Sequence, residues 1–309
     1  MIKNRFINHP LICAFIVFGG LGLALALPWF ASSQGFAAKS EIDAHSNTSK
    51  ATRYYVAKTG DGTNPTLGWS TAFTNVQDAL LAGFYGEIWV AAGVYYPDEG
   101  IFHNDNSRVE TFRIWNNNTS LLGGFDTNDT QLSDRDWEKN VTVLSGDIDG
   151  NDLNKENDVV IDTTNIRGNN AFHVVTAENV SNTVVLDGFT ITAGDADGSE
   201  PYNFGGGFYC DGTGIGNVCN PTLKNIVFSG NRADYGGGIY NNSRNEGTSH
   251  PNLNNVEFYS NSATSRGGAI YTCGCDGGNA NPSLNNVEFS NNSANEGGAM
   301  YNLGNYGSA

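Results

Sequence analysis

The sequence predicts an all-β fold, a parallel β-helix in which the chain winds as a solenoid behind a short N-terminal capping helix. Three observations support this. A segment of about 30 residues repeats along the C-terminal part of the chain. Within each repeat, short apolar runs alternate with polar residues and end at Asn and Gly, without a 3.6-residue periodicity. The 309 residues include 41 Asn and 39 Gly, and both are poor helix formers.

The charge and the apolar content exclude two broad classes. With 16 Lys and Arg against 32 Asp and Glu, the formal net charge is −16, so we expect no nucleic-acid partner. Hydrophobic residues make up 39% and aromatic residues 11% of the chain, which argues against a disordered protein.

The N-terminus has the order of an export signal. Residues 1–10 are basic and carry no acid, residues 11–27 are almost wholly apolar, and small residues then lead to a cleavage site after Ala37. We therefore predict a signal peptide over 1–38. A retained membrane anchor is the alternative, since the apolar run is barely long enough to span a bilayer. No later stretch is long and apolar enough to do so.

The rest of the chain is assigned in order. Residues 39–52 are predicted to be a linker, and residues 53–309 the β-helix. The helical pattern over 74–81 precedes the first coil, where a cap would cover the open end of the core. Regular coils are expected from about residue 184. Residues 301–309 show no pattern of a C-terminal cap, so we expect a truncated product or an unprotected last coil.

Three regular copies of the repeat carry identical residue types at fixed positions. Each has a Phe, an Asn three residues later, a Gly pair and an apolar residue, namely Phe228, Asn231, Gly236 and Ile239, then Phe258, Asn261, Gly267 and Ile270, then Phe289, Asn292, Gly297 and Met300. We expect Phe and Ile or Met to stack in the core and the Asn residues to form an amide ladder. Gly would allow sharp turns. Recurrence in every coil favours this structural role over a ligand-binding surface.

An earlier, partial copy over 184–209 is interrupted by an insertion at residues 193–204.

Four cysteines follow the signal, an even number that suits an oxidising compartment. Cys210 and Cys219 flank a Gly-rich insertion and could staple it. A bridge between Cys273 and Cys275 would be strained. All three pairings of the four residues stay open, and loop staples are favoured over a metal site.

The repeat resembles a known group. Phe-x-x-Asn followed by Gly-Gly-Ala-Ile, as at Phe258, Asn261 and 267–270, resembles the repeat of the chlamydial polymorphic outer-membrane proteins. The wider chain is similar to exported bacterial β-helix proteins of the pectin-lyase-like superfamily, in segments that include residues 69–80, 135–137 and 186–191. The resemblance implies a right-handed, single-stranded β-helix that is secreted or held at the cell surface or outer membrane. It also implies a role in adhesion.

No catalytic, cofactor-binding or metal-binding residue is predicted from the sequence. Enzymes of the pectin-lyase-like group use paired Asp residues, or calcium with a basic residue. The densest acids here, at 147–152 and 195–197, lie in turn-rich loops. Residues 147–158 partly match a calcium loop, but Asp152 occupies the position where Gly is expected. A solvated acidic turn is favoured over a calcium site. No cofactor is predicted, and the alternative is Ca²⁺ that shields the acidic loops from one another.

The function predicted from sequence is a secreted or cell-surface protein with a structural or binding role in adhesion or glycan contact. Its partners would be glycans or a host or cell-surface ligand. Tyr240, Tyr271 and Tyr301 recur at matching positions and form either an exposed sugar-binding stripe or, as we favour, packing beneath loops. The alternative is a polysaccharide lyase or glycoside hydrolase. An enzyme should place several carboxylates, or carboxylates with Arg or Lys, on one strand face within a groove.

Overall fold

The structure is a computed structural model that describes residues 52–82, 86–153, 155–156 and 158–309. The predicted signal peptide and all but the last residue of the predicted linker lie outside these residues. No helix of the described residues is long and apolar enough to cross a membrane.

The described residues form mainly short strands. One α-helix, α1, spans Val76–Ala82, and 3₁₀ helices span Trp69–Thr71, Leu132–Asp134 and Thr163–Asn165. The strands, in chain order, are β1 Thr52–Val56, β2 Gly86–Ala91, β3 Gly93–Tyr95, β4 Phe112–Ile114, β5 Thr119–Phe125, β6 Thr142–Ser145, β7 Lys155–Glu156, β8 Val159–Val160, β9 Val175–Glu178, β10 Val185–Thr192, β11 Asp195–Ala196, β12 Phe208–Asp211, β13 Val218–Cys219, β14 Thr222–Ser229, β15 Arg232–Tyr235, β16 Ile239–Asn242, β17 Thr248–Ser249, β18 Asn252–Tyr259, β19 Ser262–Arg266, β20 Ile270–Cys273, β21 Asn279–Ala280, β22 Ser283–Ser290 and β23 Met300–Leu303.

The strands stack coil upon coil in parallel sheets. The longest path runs β1-β2-β5-β10-β14-β18-β22, and a second sheet runs β4-β9-β12-β16-β20-β23. Shorter sheets, β11-β15-β19 and β13-β17-β21, close the other sides of the coils. Seven strands along the longest path correspond to about seven coils. The predicted all-β parallel solenoid is confirmed.

The predicted capping helix is also present. Helix α1 spans Val76–Ala82, against the predicted 74–81. Its side chains Val76, Ala79 and Leu80 are buried and join the main core cluster beside Val56 and Phe112. The helix therefore covers apolar surface at the N-terminal side of the solenoid, where a strand edge would otherwise face water.

The repeat positions fall into register. Phe228 pairs with Phe258 in β18, and Phe258 with Phe289 in β22. Their ring centroids are 4.9 and 5.2 Å apart, and the rings are nearly parallel. Ile239, Ile270 and Met300 likewise pair strand to strand in the second sheet. These rows of identical or similar apolar side chains fill the core along the solenoid axis.

The repeated Asn residues are linked by side-chain hydrogen bonds. Asn231 Nδ2 donates to Asn261 Oδ1 at 2.9 Å, and Asn261 Nδ2 donates to Asn292 Oδ1 at 3.0 Å. Asn231 and Asn261 are fully buried, so these bonds satisfy amides that have no access to water. Gly236, Gly267 and Gly297 follow at positive φ of 64–68°, the left-handed region in which a Cβ is unfavourable.

A second ladder runs through the longest sheet at Asn225, Asn255 and Asn286, all at positive φ. Each amide donates to the carbonyl oxygen of the one before it, at 2.8 and 2.7 Å. Asn225 in turn donates to Asp187 Oδ1 at 2.7 Å. The buried Arg135 guanidinium also pairs with this carboxylate at 2.6 Å. The ladder thus ends on a buried ion pair.

The four described cysteines form two disulfides, Cys210–Cys219 and Cys273–Cys275. The first closes the loop that follows β12. The second joins Cys273, the last residue of β20, to Cys275. The sequence predicts strain in this pairing, because only one residue separates the two cysteines.

Candidate binding groove

A groove of about 620 Å³ lies on the outer face of the second sheet. Its floor is formed by outward-facing side chains of β4, β9, β12 and β16, and its walls by loops. The residues that line it include Val109, Thr111, Arg113, His173, Thr176, Glu178, Glu200, Pro201, Tyr202, Tyr209, Asp211, Thr213, Asn242, Arg244 and Asn245.

Strand alternation explains the floor. In β12, Phe208 and Cys210 point into the core, so Tyr209 and Asp211 point outward. The register continues this face across neighbouring strands: Tyr209 pairs with Thr176 of β9, and Asp211 pairs with Glu178 of β9. On the other side, Asp211 pairs with Asn242 of β16. A parallel sheet therefore brings residues that are 30 or more positions apart in sequence into adjacent places.

The walls come from segments that depart from the repeat. The insertion at 193–204 supplies Glu200 and Tyr202, and the loops after β12 and β16 supply Thr213 and Arg244. The Cys210–Cys219 disulfide closes the first of these two loops. The positions that break the repeat are thus the ones that shape the groove.

Two ion pairs lie in the groove. Arg113 Nε donates to Glu178 Oε1 at 3.0 Å, and its Nη2 makes a second, shorter contact with Glu178 Oε2. Arg244 donates to Glu200 of the insertion at 193–204, and its guanidinium lies 5.2 Å from the Phe204 ring centroid. Arg113, Glu178 and Asp211 therefore lie on one sheet face in a groove, which is the arrangement that was expected of an enzyme.

His173 contributes no positive charge to the groove at neutral pH. Its ring is buried, stacks on Tyr209 with centroids 5.2 Å apart, and its Nδ1 lies 3.1 Å from the Gly205 carbonyl oxygen. Burial lowers the pKa of His173 from 6.5 to about 4. Burial also raises the pKa of Tyr209 well above its usual value, with the nearby Asp211 carboxylate adding to the rise. The Tyr209 hydroxyl accepts a hydrogen bond from Asn242 Nδ2 at 2.8 Å.

Three buried hydroxyls in or beside the groove have no hydrogen-bond partner within the part of the chain that the structure describes. They are Thr176 Oγ1, Thr213 Oγ1 and Tyr240 Oη. An unsatisfied buried hydroxyl is costly, by about 1–3 kcal/mol. Because these oxygen atoms are buried, they are not available to a ligand that lies in the groove.

The recurring tyrosines form a stack. The centroids of Tyr240 and Tyr271 lie 5.0 Å apart, and those of Tyr271 and Tyr301 lie 5.5 Å apart. Phe204 of the insertion packs on Tyr240 at 4.4 Å. Tyr240 and Tyr271 are buried, so these two rings are packed beneath a loop and their neighbours rather than forming an exposed stripe.

The acidic segments singled out in the sequence have structural contacts. Asp195 is buried and forms a bidentate pair with Arg232, at 2.7 Å for both contacts. Arg108 bonds Asp197 at 2.6 Å. Asp147 accepts the Asn151 backbone N–H at 3.0 Å, as a turn-forming carboxylate does. Among the described residues there is no group of three or more His, Cys, Asp or Glu side chains placed to hold a metal ion.

The comparisons with known proteins agree with the fold. The model of the Chlamydia polymorphic membrane protein repeat matches residues 225–242 and 255–273. These two segments, 37 of the 309 residues, are therefore similar to that repeat. Both matched segments begin at an Asn of the second ladder, Asn225 and Asn255, and each contains a Phe-x-x-Asn element. No curated protein and no solved structure matches the chain at a significant level.

Polymorphic membrane protein repeats on a parallel solenoid indicate a surface or outer-membrane protein. The matched residues are mainly core and ladder positions. They include Asn242 but no charged residue of the groove. The matched repeat therefore describes the solenoid scaffold, and the charged groove residues lie outside the matched segments.

Sequence reasoning missed the groove residues. Arg113 and Glu178 lie outside any local motif, and only the coil register brings them to one face, while Arg244 comes from the loop after β16. The signal available was indirect: the insertion at 193–204 interrupts a repeat that otherwise continues.

Proposed function

We propose that this protein is a surface or outer-membrane β-solenoid that binds glycans through the groove. The observation that carries the proposal is the groove's composition. Amide, hydroxyl and carboxylate groups converge there on a rigid sheet floor beside a partly exposed tyrosine, Tyr202. Binding sites typically combine a preformed concave surface with a few well-placed polar groups.

The aromatic contribution comes from Tyr202. Its side chain is 36% exposed, and its ring is held by Phe172, 4.9 Å away between centroids. A ring fixed in this way offers an apolar face to a sugar ring at little entropic cost. The volume of about 620 Å³ lies within the usual range for a ligand site, which runs from about 300 to 1,000 Å³.

Screening of the purified protein against a glycan array tests this proposal. We expect binding by the wild type and a loss of at least about tenfold in affinity, or about 1.4 kcal/mol, in Tyr202→Ala. Tyr306→Ala is the matched control, because Tyr306 is 88% exposed and lies outside the groove. Absence of binding to every glycan, or equal loss in both variants, would contradict the proposal.

A polysaccharide-cleaving activity is the second candidate, and one observation favours it. Glu178 and Asp211 are register partners on neighbouring strands, which lie about 4.8 Å apart, and both face the groove. Glycoside hydrolysis uses two carboxyl groups on either side of the scissile bond. Against it, Arg113 already holds Glu178 through two contacts.

This second candidate is tested by incubating the protein, with and without calcium, with neutral and acidic polysaccharides and measuring reducing and unsaturated ends. Ends released by the wild type but not by Glu178→Gln or Asp211→Asn would establish it. Glu138→Gln serves as the control, because Glu138 lies outside this groove. No release by the wild type would leave binding as the function.

A further inference from the structure

We infer that the groove accepts an uncharged oligosaccharide rather than a uronate polymer. This inference rests on the proposed glycan-binding function and deepens it by naming the ligand class. Its basis is the charge and the pairing of the side chains that line the groove.

The groove's positive charges are already paired. Its lining includes two arginines, Arg113 and Arg244, and no lysine. Each arginine is bound by a carboxylate of the groove itself, Glu178 and Glu200 respectively. A uronate carboxylate entering the groove would have to displace one of these partners. Arginine binds a carboxylate strongly when the N–H groups of its guanidinium are free to donate two parallel hydrogen bonds. Here the guanidinium groups of both arginines already contact carboxylates of the protein.

One negative charge remains unbalanced. Asp211 makes no ion pair within the described part of the chain, and it accepts hydrogen bonds from the Thr213 backbone N–H at 3.0 Å and from Asn242 Nδ2 at 3.5 Å. His173 is neutral above about pH 4 and does not offset it. Three carboxylates thus face two arginines in a chain whose formal net charge is −16. An anionic polymer would be repelled at long range and within the groove.

The groups that remain suit sugar hydroxyls. Asp211 provides acceptor oxygens, and the exposed Asn245 amide provides both donors and an acceptor. A ligand with many hydroxyls and no charge can use these groups without breaking either ion pair. A ligand without hydroxyls at these places would take water from the Asp211 carboxylate without replacing its hydrogen bonds.

The test compares two oligosaccharide sets of matched length by titration calorimetry at low and high salt. They are uncharged gluco-oligosaccharides and oligogalacturonates. We expect the uncharged set to bind with an affinity that does not change with salt, and the oligogalacturonates to bind at least about tenfold more weakly. Tighter binding of the oligogalacturonates would overturn the inference and leave glycan binding intact. Absence of binding by both sets would contradict the proposed function as well.

Charge variants test whether the paired arginines are the reason that oligogalacturonates bind weakly. Glu178→Gln releases Arg113 on the exposed side of the groove, and we expect it to raise oligogalacturonate affinity by about tenfold. Glu200→Gln, which releases Arg244, is a second variant in case the first does not fold. Glu138→Gln removes an equal charge outside the groove and should change oligogalacturonate affinity little. An equal gain in all three variants would show that only net charge matters and would overturn the inference.

Discussion

The buried amide ladder offers the sharpest test of how the coils are held in register. Asn261 is fully buried, and its side chain makes four hydrogen bonds. Its Oδ1 accepts from the backbone N–H and the amide of Asn231, at 3.1 and 2.9 Å. Its Nδ2 donates to the Phe228 carbonyl at 2.9 Å and to Asn292 Oδ1 at 3.0 Å. Asn261→Ala removes all four bonds at once.

The magnitude follows from the partners left behind. Asn231 Nδ2 keeps its bond to the Ile191 carbonyl, so that amide stays partly satisfied. The Asn231 backbone N–H loses its side-chain acceptor, and the Phe228 carbonyl loses its side-chain donor, both in the dry core. At about 1–3 kcal/mol for each such group, we expect the free energy of unfolding to fall by about 2–5 kcal/mol.

Denaturant unfolding followed by circular dichroism measures this loss as a lower midpoint. Asn285→Ala is the matched control, because Asn285 also bonds an Asn in the preceding coil, Asn254 at 3.1 Å, but does so in solvent. Its unfolding free energy should stay within about 0.5 kcal/mol of the wild type. If Asn261→Ala also stays within that range, the ladder does not stabilise the coil stack and the reasoning is refuted.

Three further predictions concern the core, the Cys210–Cys219 disulfide and the pH dependence of stability. Phe258→Ala should lower the free energy of unfolding by about 3–5 kcal/mol in denaturant melts, because the ring is buried between two others; Phe289→Ala, in a partly buried site, should cost less. Replacing Cys210 and Cys219 by Ser should destabilise the protein by about 2–3 kcal/mol, and reductant should then have less effect on the melt than in the wild type. The pKa of His173 is lowered to about 4, so its stabilising contribution is complete above pH 6.5 and is lost as the pH falls through 4, on the order of 3 kcal/mol. His173→Phe should make the unfolding midpoint depend less on pH over this window, and an unchanged dependence would contradict the assignment.

The fold was open to prediction because its signal is local and repeated. Phe258 and Asn261 recur at fixed spacing, so one coil predicts the environment of the next. The same spacing holds for Asn225, Asn255 and Asn286, so the second ladder follows the same periodicity, although it was not predicted. Its partner Asp187 could not be found this way, because that residue breaks the Asn pattern to pair with Arg135.

The groove was not predictable in the same way. Arg113, Glu178 and Asp211 come from three separate coils, and the spacing between them is set by irregular loops rather than by the repeat. Nothing in the sequence near any one of them indicates the others. The insertion at 193–204 showed where the regular surface would be interrupted, but not which side chains it would face.

The sequence by itself determined the scaffold: a parallel solenoid with a helix at its N-terminal side, in which identical residues stack. It did so because a periodic chain presents the same core-forming face in every coil, and burial of that face dominates the energetics. Only the tertiary structure decided the site, namely which carboxylates meet which arginines and which hydroxyls stay unpaired. Those contacts depend on loop paths that follow no period, and the close approach of charges from distant coils exists only once the coils are stacked.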